Sequence, residues 1–396
     1  MASSFPAPAP CSGQPAWLDK LRRSAYQRFA ELGFPTAALE DWRFTSVAPI
    51  ARASFQPSGN GRPAALAALA PGVRVLSLAD ALADPLVERH LARHARFDDH
   101  AFAALNTASL AGGVFVEIAK GATIAEPVRL EFQAHPTAAP QVSHPRNLIV
   151  VGPGAQAGIL ESYRSAGGGV HFTNAVTEIV VGENAVVDYY RVQVENAESF
   201  HLATIAAHQD RGSVLAVHNL SFGAALARYD TVAVLDAEGA ECTLNGLYLA
   251  AGSQHVDNHT TLDHARPHGS SRELYKGVLD GRASAVFNGK IVVRKDAQKT
   301  DSKQTNKNLL LSPDATINTK PQLEIWADDV KCTHGATIGQ LGEEPLFYLR
   351  SRGIPLEEAR AMLTYAFAGE VLARIRHQPL RAELDRLLLE RLRRAA

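Results

Sequence analysis

Apolar and polar positions change their rhythm twice along the chain. From Trp17 to about Leu32 the residues Trp17, Leu21, Tyr26, Phe29 and Leu32 recur at roughly helical spacing, and Gly33 and Pro35 end the run. Asp84-Pro85 followed by LVERHLARH predicts an N-cap, a proline at the first helical position and a helix. Phe102 to Leu110 predicts another short helix. With a single strand at Val73 to Leu78 and a Gly/Pro-rich loop from Pro57 to Pro63, residues 1–112 read as a mainly helical N-terminal segment.

After Gly113 the helical spacing disappears. GVFVEIAKGATI, RNLIVVGPGAQAGI, TEIVVGENAVVDYYRVQV and TVAVLDAEGAECTLNGLYL share one form. An apolar or β-branched run meets a turn of Gly, Asn or Asp, then a small residue, then another run. The small residues Ala122, Ala155, Ala185, Ser213 and Ala240 fall about 27 to 33 apart. Two architectures fit such an approximate period: the stacked coils of a β-helix, or a large β-sandwich or jelly roll. The β texture predicts a core over 113–342.

At Glu343 helical spacing returns and defines a C-terminal helical segment, 343–396. Pro355 suits a first helical position, and Leu356, Ala359, Leu363, Ala366 and Phe367 form one stripe. Leu380, Leu384, Leu387 and Leu388 form a second stripe after Pro379. The opposite faces are rich in Arg, which fits a solvated face or a docking surface.

Composition narrows the function classes. The 396 residues are 46% apolar and 20% charged, as in a globular protein, and the formal net charge of −1 gives no footprint for nucleic acid. No apolar run approaches the ~20 residues of a membrane span. The start, MASSFPAPAPCSGQPAW, reads as a loose tail, without the basic and apolar regions of a signal peptide. The three cysteines, Cys11, Cys242 and Cys332, include no CxxC, which points away from a disulfide framework and toward the cytoplasm. One chain also falls short of the roughly four thiolates of a typical iron–sulfur cluster. GxxxxGK[ST], GxSxG and HExxH are missing, and GPGAQA (Gly152 to Ala157) has no helix after it, so the sequence speaks against a self-contained enzyme.

Two stretches hold candidate ligands. In QHVDNHTTLDHARPH, His255 and His259 have a zinc-like spacing for a helix, but the neighbouring Gly252, Asp257-Asn258 and Thr260-Thr261 favour strand and turn. On a strand His255, Asp257 and His259 share one face, and a structural role is expected. Cys242, between residues of strand pattern, is expected to be a small buried hydrophobe. In IWADDVKCTH, alternation puts Val330, Cys332 and His334 on one face, with Lys331 and Thr333 on the other. A thiol and an imidazole so placed can reach one ion, and together they suit soft or borderline metals, iron among them. Two such residues are by themselves more often part of an ordinary strand, with a partly buried Cys and a hydrogen-bonded His.

The blocks AQKTDSKQTNKNLLLS (297–312), KPQLEIWADDVKCTHGATIGQL (320–341) and FYLRSRGI (347–354) add a resemblance, as do GFPTAALEDWRFT (33–45) and FAALNTA (102–108). Together they resemble the SufD family, a component of the SufBCD iron–sulfur cluster assembly complex. The related SufB shares the FYLRSRGI-like block, but VKCTHGAT, with both Cys and His, looks like SufD. The resemblance implies a mainly β fold, a right-handed parallel β-helix core flanked by N-terminal and C-terminal α-helical segments. It implies a non-catalytic scaffold that pairs with SufB through the β-helices and binds the SufC ATPase through its C-terminal helices. ATP would be held by SufC alone, and reduced flavin is associated with related complexes. A nascent iron–sulfur cluster, or iron, would be shared with SufB. His334 matches the family's histidine, and Cys332 the neighbouring cysteine, as ligand or sulfur relay. The rival readings are a SufB-like homodimeric scaffold and a β-helix enzyme acting on carbohydrate. Adjacent Asp328 and Asp329 point to opposite faces of a strand and aromatic content is 7%, both of which disfavour the enzyme.

Overall fold

The computed structural model of the chain describes residues 5, 14–58, 70–110 and 112–395. The Pro-rich start with Cys11, and most of the loop from Pro57 to Pro63, lie outside the described residues.

The β region is a parallel solenoid made of two facing sheets. Each coil gives one strand to each sheet. The first sheet runs from Val73–Ser77 and Val114–Ile118 through Arg146–Val151, His171–Val181, Phe200–Gln209 and Leu226–Leu235 to His255–His264, Ser284–Val293 and Thr316–Ile325. The second, eight-stranded, runs from Val128–Ala134 through Gln156–Ser165, Val186–Val194, Val214–Ser221, Glu241–Ala250, Ser270–Leu279 and Asp301–Leu310 to Lys331–Gly339. Pairing is parallel throughout except between Val73–Ser77 and Val114–Ile118. The stacked-coil reading is therefore the correct one of the two.

The small-residue period has a physical cause. Ala155, Ala185, Ser213 and Ala240 are fully buried and precede strands that stack in register, Gln156 on Val186 on Val214 on Glu241. Each sits inside a tight turn where a larger side chain would meet the coil above. The residue before each of them takes a left-handed backbone, and the turns are bonded to one another. Asn184 N–H donates to Arg211 O at 2.8 Å, Gly212 to Glu238 O at 3.0 Å, and His268 to Gln298 O at 2.9 Å. Glycine or asparagine is the cheap residue there.

Helices cover both outer faces. The helix Ala16–Leu32 ends at Gly33, whose backbone is left-handed at φ 64°, and Asp84 caps Pro85–His90 by accepting from Leu86 N–H at 2.9 Å. With Ala101–Ala108, these elements pack Leu18, Phe29, Trp42, Val87 and Phe102 against the first sheet. Leu356–Leu372 and Gln378–Ala395 cover the second sheet. Leu380, Leu384 and Leu388 are buried there as expected, against Leu220, Phe222, Leu247 and Leu274. The stripe of Leu356–Leu372 differs from the expected one. Its buried face is Ala359, Thr364, Ala368, Val371 and Leu372, while Leu356 and Ala366 are exposed. Apolar residues surround this helix, so periodicity alone did not fix which side faces the sheet. Among the described residues no helix is long and apolar enough to cross a membrane.

Candidate functional site

The last coil is different from the rest. Thr316–Ile325 pairs with Ser284–Val293, and Lys331–Gly339 with Asp301–Leu310; beyond each, the outer backbone edge meets no further strand among the described residues. Large apolar side chains stay in water at this end. Trp326 is 58% exposed and Phe347 73%, with Ile325, Ile338 and Tyr348 also exposed.

Cys332 and His334 lie on this final strand, two residues apart and on one face. The turn that launches the strand is fixed by the coil beneath it. Lys299 N–H donates to Asp329 O at 2.7 Å, Asp329 N–H to Gln298 Oε1 at 2.9 Å, and Lys331 N–H to Thr300 O at 2.8 Å. The Lys299 ammonium also pairs with the Asp329 carboxylate. The two sequence blocks from Ala297 and Lys320 thus meet in space. In register, Cys332 sits over Ser302 and His334 over Gln304. Cys332 is half-buried and packs, with Val330 and Leu323, on the end of the interior core. Burial pushes its thiol pKa up, with the Ser302 backbone N–H acting the other way. His334 is exposed. A half-buried thiol and an exposed imidazole two residues apart on one strand face are two groups that a bound cation could share, with its remaining positions toward solvent. Among the described residues no three His, Cys, Asp or Glu side chains are placed to hold a metal ion.

The histidine-rich strand is put to another use. His255, Asp257 and His259 share the outward face of His255–His264, as expected. Arg228 lies on the neighbouring strand opposite Asp257, with Nη1 2.6 Å from Asp257 Oδ2, and His259 Nε2 is 3.0 Å from Asp257 Oδ1. Burial raises the Asp257 carboxyl, but Arg228 and His259 outweigh it and hold the pKa below its ordinary value. Thr45 Oγ1 donates to Asp257 Oδ2 at 2.5 Å and lies 2.9 Å from His255 Nε2. Arg228 also stacks on Trp42 at 3.7 Å and donates to Asp41 O at 2.7 Å. The cluster therefore fastens the EDWRFT segment onto the solenoid. His264 points the opposite way, into the interior, and bonds Ser271 Oγ at 2.9 Å, with burial lowering its pKa to about 4. His268 is a left-handed turn residue. Cys242 is buried in the interior core, where burial pushes its thiol up.

Sequence reasoning missed Arg228. Its signal was weak: Arg228 and Asp230 alternate as His255 and His259 do, but only the strand register shows that Arg228 faces Asp257.

Comparison with known proteins agrees with this geometry. A family model described as "SUF system FeS cluster assembly, SufBD core domain" matches residues 133–367, more than half of the chain. An iron-sulfur cluster assembly SufBD family protein of Synechocystis is 40% identical over 282 residues, 69% of this chain and 62% of that one. The iron-sulfur cluster assembly protein SufD of Escherichia coli is 36% identical over 281 residues, 70% of this chain and 66% of that one. The protein SufB of Bacillus subtilis is 27% identical over 288 residues, 72% of this chain and 61% of its own length. The chain thus spans just under two thirds of these relatives. Core match, identity and solenoid together show that the chain belongs to the SufB/SufD family of iron–sulfur cluster assembly proteins.

Proposed function

We propose that the chain is a non-catalytic scaffold subunit of the SufD type, which completes a cluster-assembly site with a SufB-type partner. The observation that carries this reading is the last coil. Its two donors, Cys332 and His334, sit beside free backbone edges and exposed Trp326, Ile338 and Phe347. Free strand edges and uncovered apolar side chains favour the addition of another β surface. A partner seated there brings its own ligands to the open positions. His334 binds iron through a neutral imidazole nitrogen, and Cys332 does so as thiolate, losing its proton to the metal's pull.

The C-terminal helices are the proposed seat of a SufC-type ATPase. Their inner stripe is used on the second sheet, while Leu356, Met362 and Leu389 remain exposed outward. Nucleotide chemistry then belongs to the partner chain.

The test is co-expression with SufB-type and SufC-type partners, followed by native mass measurement. A complex containing all three supports the reading. Purification of this chain as a dimer free of both partners would overturn it and favour the homodimeric scaffold.

A further inference from the structure

The interior of the last coils changes character. Early coils fill it with Val187, Leu215, Val217 and Leu244. At the same two positions of the later coils stand Ser271 and Ser302, and Glu273 and Gln304. Glu273 is fully buried, and Gln304 Nε2 donates to its Oε2 at 2.7 Å. The Gln304 amide occupies the space beside Gly289 across the interior, where any Cβ would strike it. In register Glu273 lies under Gln304, and Gln304 under His334.

Other buried carboxylates have charged or multiple partners. Glu178 has Arg146 at 2.6 Å, Glu195 has His201 at 2.6 Å, and Asp257 has Arg228 at 2.6 Å. Glu161 accepts from the hydroxyls of Tyr163 and Thr177. Glu273 has no such set. The groups around it are Thr260 across the interior, Tyr275 on its own strand and Cys242, with His264 bonded to Ser271 two residues along. Tyr275 and Cys242 are held neutral by burial, and burial likewise keeps His264 uncharged. Neither Glu273 Oε1 nor Gln304 Oε1 has a well-formed hydrogen bond within the described residues. An ionised acid could take the Thr260 hydroxyl on Oε1 but would still leave Gln304 Oε1 unmatched. One proton on Glu273 matches both oxygens, because an acid and an amide can close two hydrogen bonds between them.

We propose that Glu273 is protonated in the resting protein, donating from Oε1 to Gln304 Oε1, and that this proton leaves for solvent when a cation binds at Cys332 and His334. The second half rests on the metal reading of those two residues. Burial independently favours the proton, raising the Glu273 pKa to about 7 against the pull of Thr260 and Gln304. Two strand spacings put His334 about 10 Å above Glu273. At that distance each unit of added positive charge lowers the carboxyl pKa by about 1. Below pH about 7 the acid thus supplies most of its buried negative charge when the site above it is filled. The step exchanges a proton for the charge of the cation and involves no redox change.

The test uses the full chain without oxygen, with ferrous ions as the probe and infrared difference spectra as the readout. Wild type minus Glu273→Gln should show a protonated-carboxyl band at acidic pH that fades as pH passes about 7. Gln304→Leu should shift the band's position, because the amide partner is gone. Ferrous ions added just below pH 7 should remove most of the band in wild type and none in His334→Ala. Absence of the band from wild type overturns the acid–amide pair. A band that persists while ferrous ions are bound overturns the coupling. If wild type binds no ferrous ion, the coupling falls with the Cys332–His334 reading, while the band still decides the resting proton.

Discussion

Two strands of this solenoid carry metal-binding residue types at the same two-residue spacing, and they use them in opposite ways. His255, Asp257 and His259 lie two strands in from the open end, covered by the segment that carries Thr45, and they bond Arg228, Thr45 and Ser284. Cys332 and His334 lie on the last strand, with one donor rooted in the core and the other in water. The difference teaches that ligand chemistry in this fold is decided by position along the stack. A polar residue in a covered coil becomes a fastener. The same type at the uncovered end stays available.

The largest expected effect breaks the fastener. Asp257→Ala removes one of the two carboxylates that hold the buried Arg228, leaving Asp230 alone to balance it, and should cost about 3 kcal/mol in chemical denaturation. A loss under 1 kcal/mol would mean that the cluster is not what holds the EDWRFT segment.

Glu273 sharpens the contrast as a buried acid without a fastener role. Its folded-state pKa of about 7 lies above the ordinary 4.5. The folded protein keeps a proton that the unfolded chain releases, so this contribution is complete below pH 4.5 and is lost as pH rises to about 7. The lost stability is about 3 kcal/mol. Glu273→Gln should flatten that part of the stability-versus-pH curve; an unchanged slope would contradict the assignment. Next in size is Gly289→Ala, whose new methyl group collides with the Gln304 amide and should cost about 1–3 kcal/mol. Wild-type stability in this variant would show that Gln304 is free to move.

Smaller effects belong to the open end. His334→Ala should change stability by no more than about 0.5 kcal/mol, as for an exposed side chain. Thiol labelling of the native chain should reach Cys332 well before Cys242, which is buried. Equal rates would mean that the interior opens as readily as its end.

Much of this was legible in the chain. Turn residues and small residues marked the coils, Asp84-Pro85 marked a helix start, and VKCTHGAT marked a strand with both donors on one face. What was not legible has a physical reason. His171–Val181 is buried along its whole length, because one face meets the interior and the other meets helices. Alternation disappears in such strands, so inward and outward residues look alike in sequence. That is why the facing of His264, Arg228 and Glu273 is not legible in the sequence. At Lys331–Gly339 one face is open, and there the alternation reading held.

If the open end is half of a cluster-assembly site, His334 matters for the cluster and not for assembly of the complex. The measurement that tests it most directly is the iron and acid-labile sulfide content of complexes purified with His334→Ala in place of wild type, together with their native mass. The account predicts an intact complex whose cluster content falls by roughly tenfold or more. An intact complex with wild-type cluster content would contradict it.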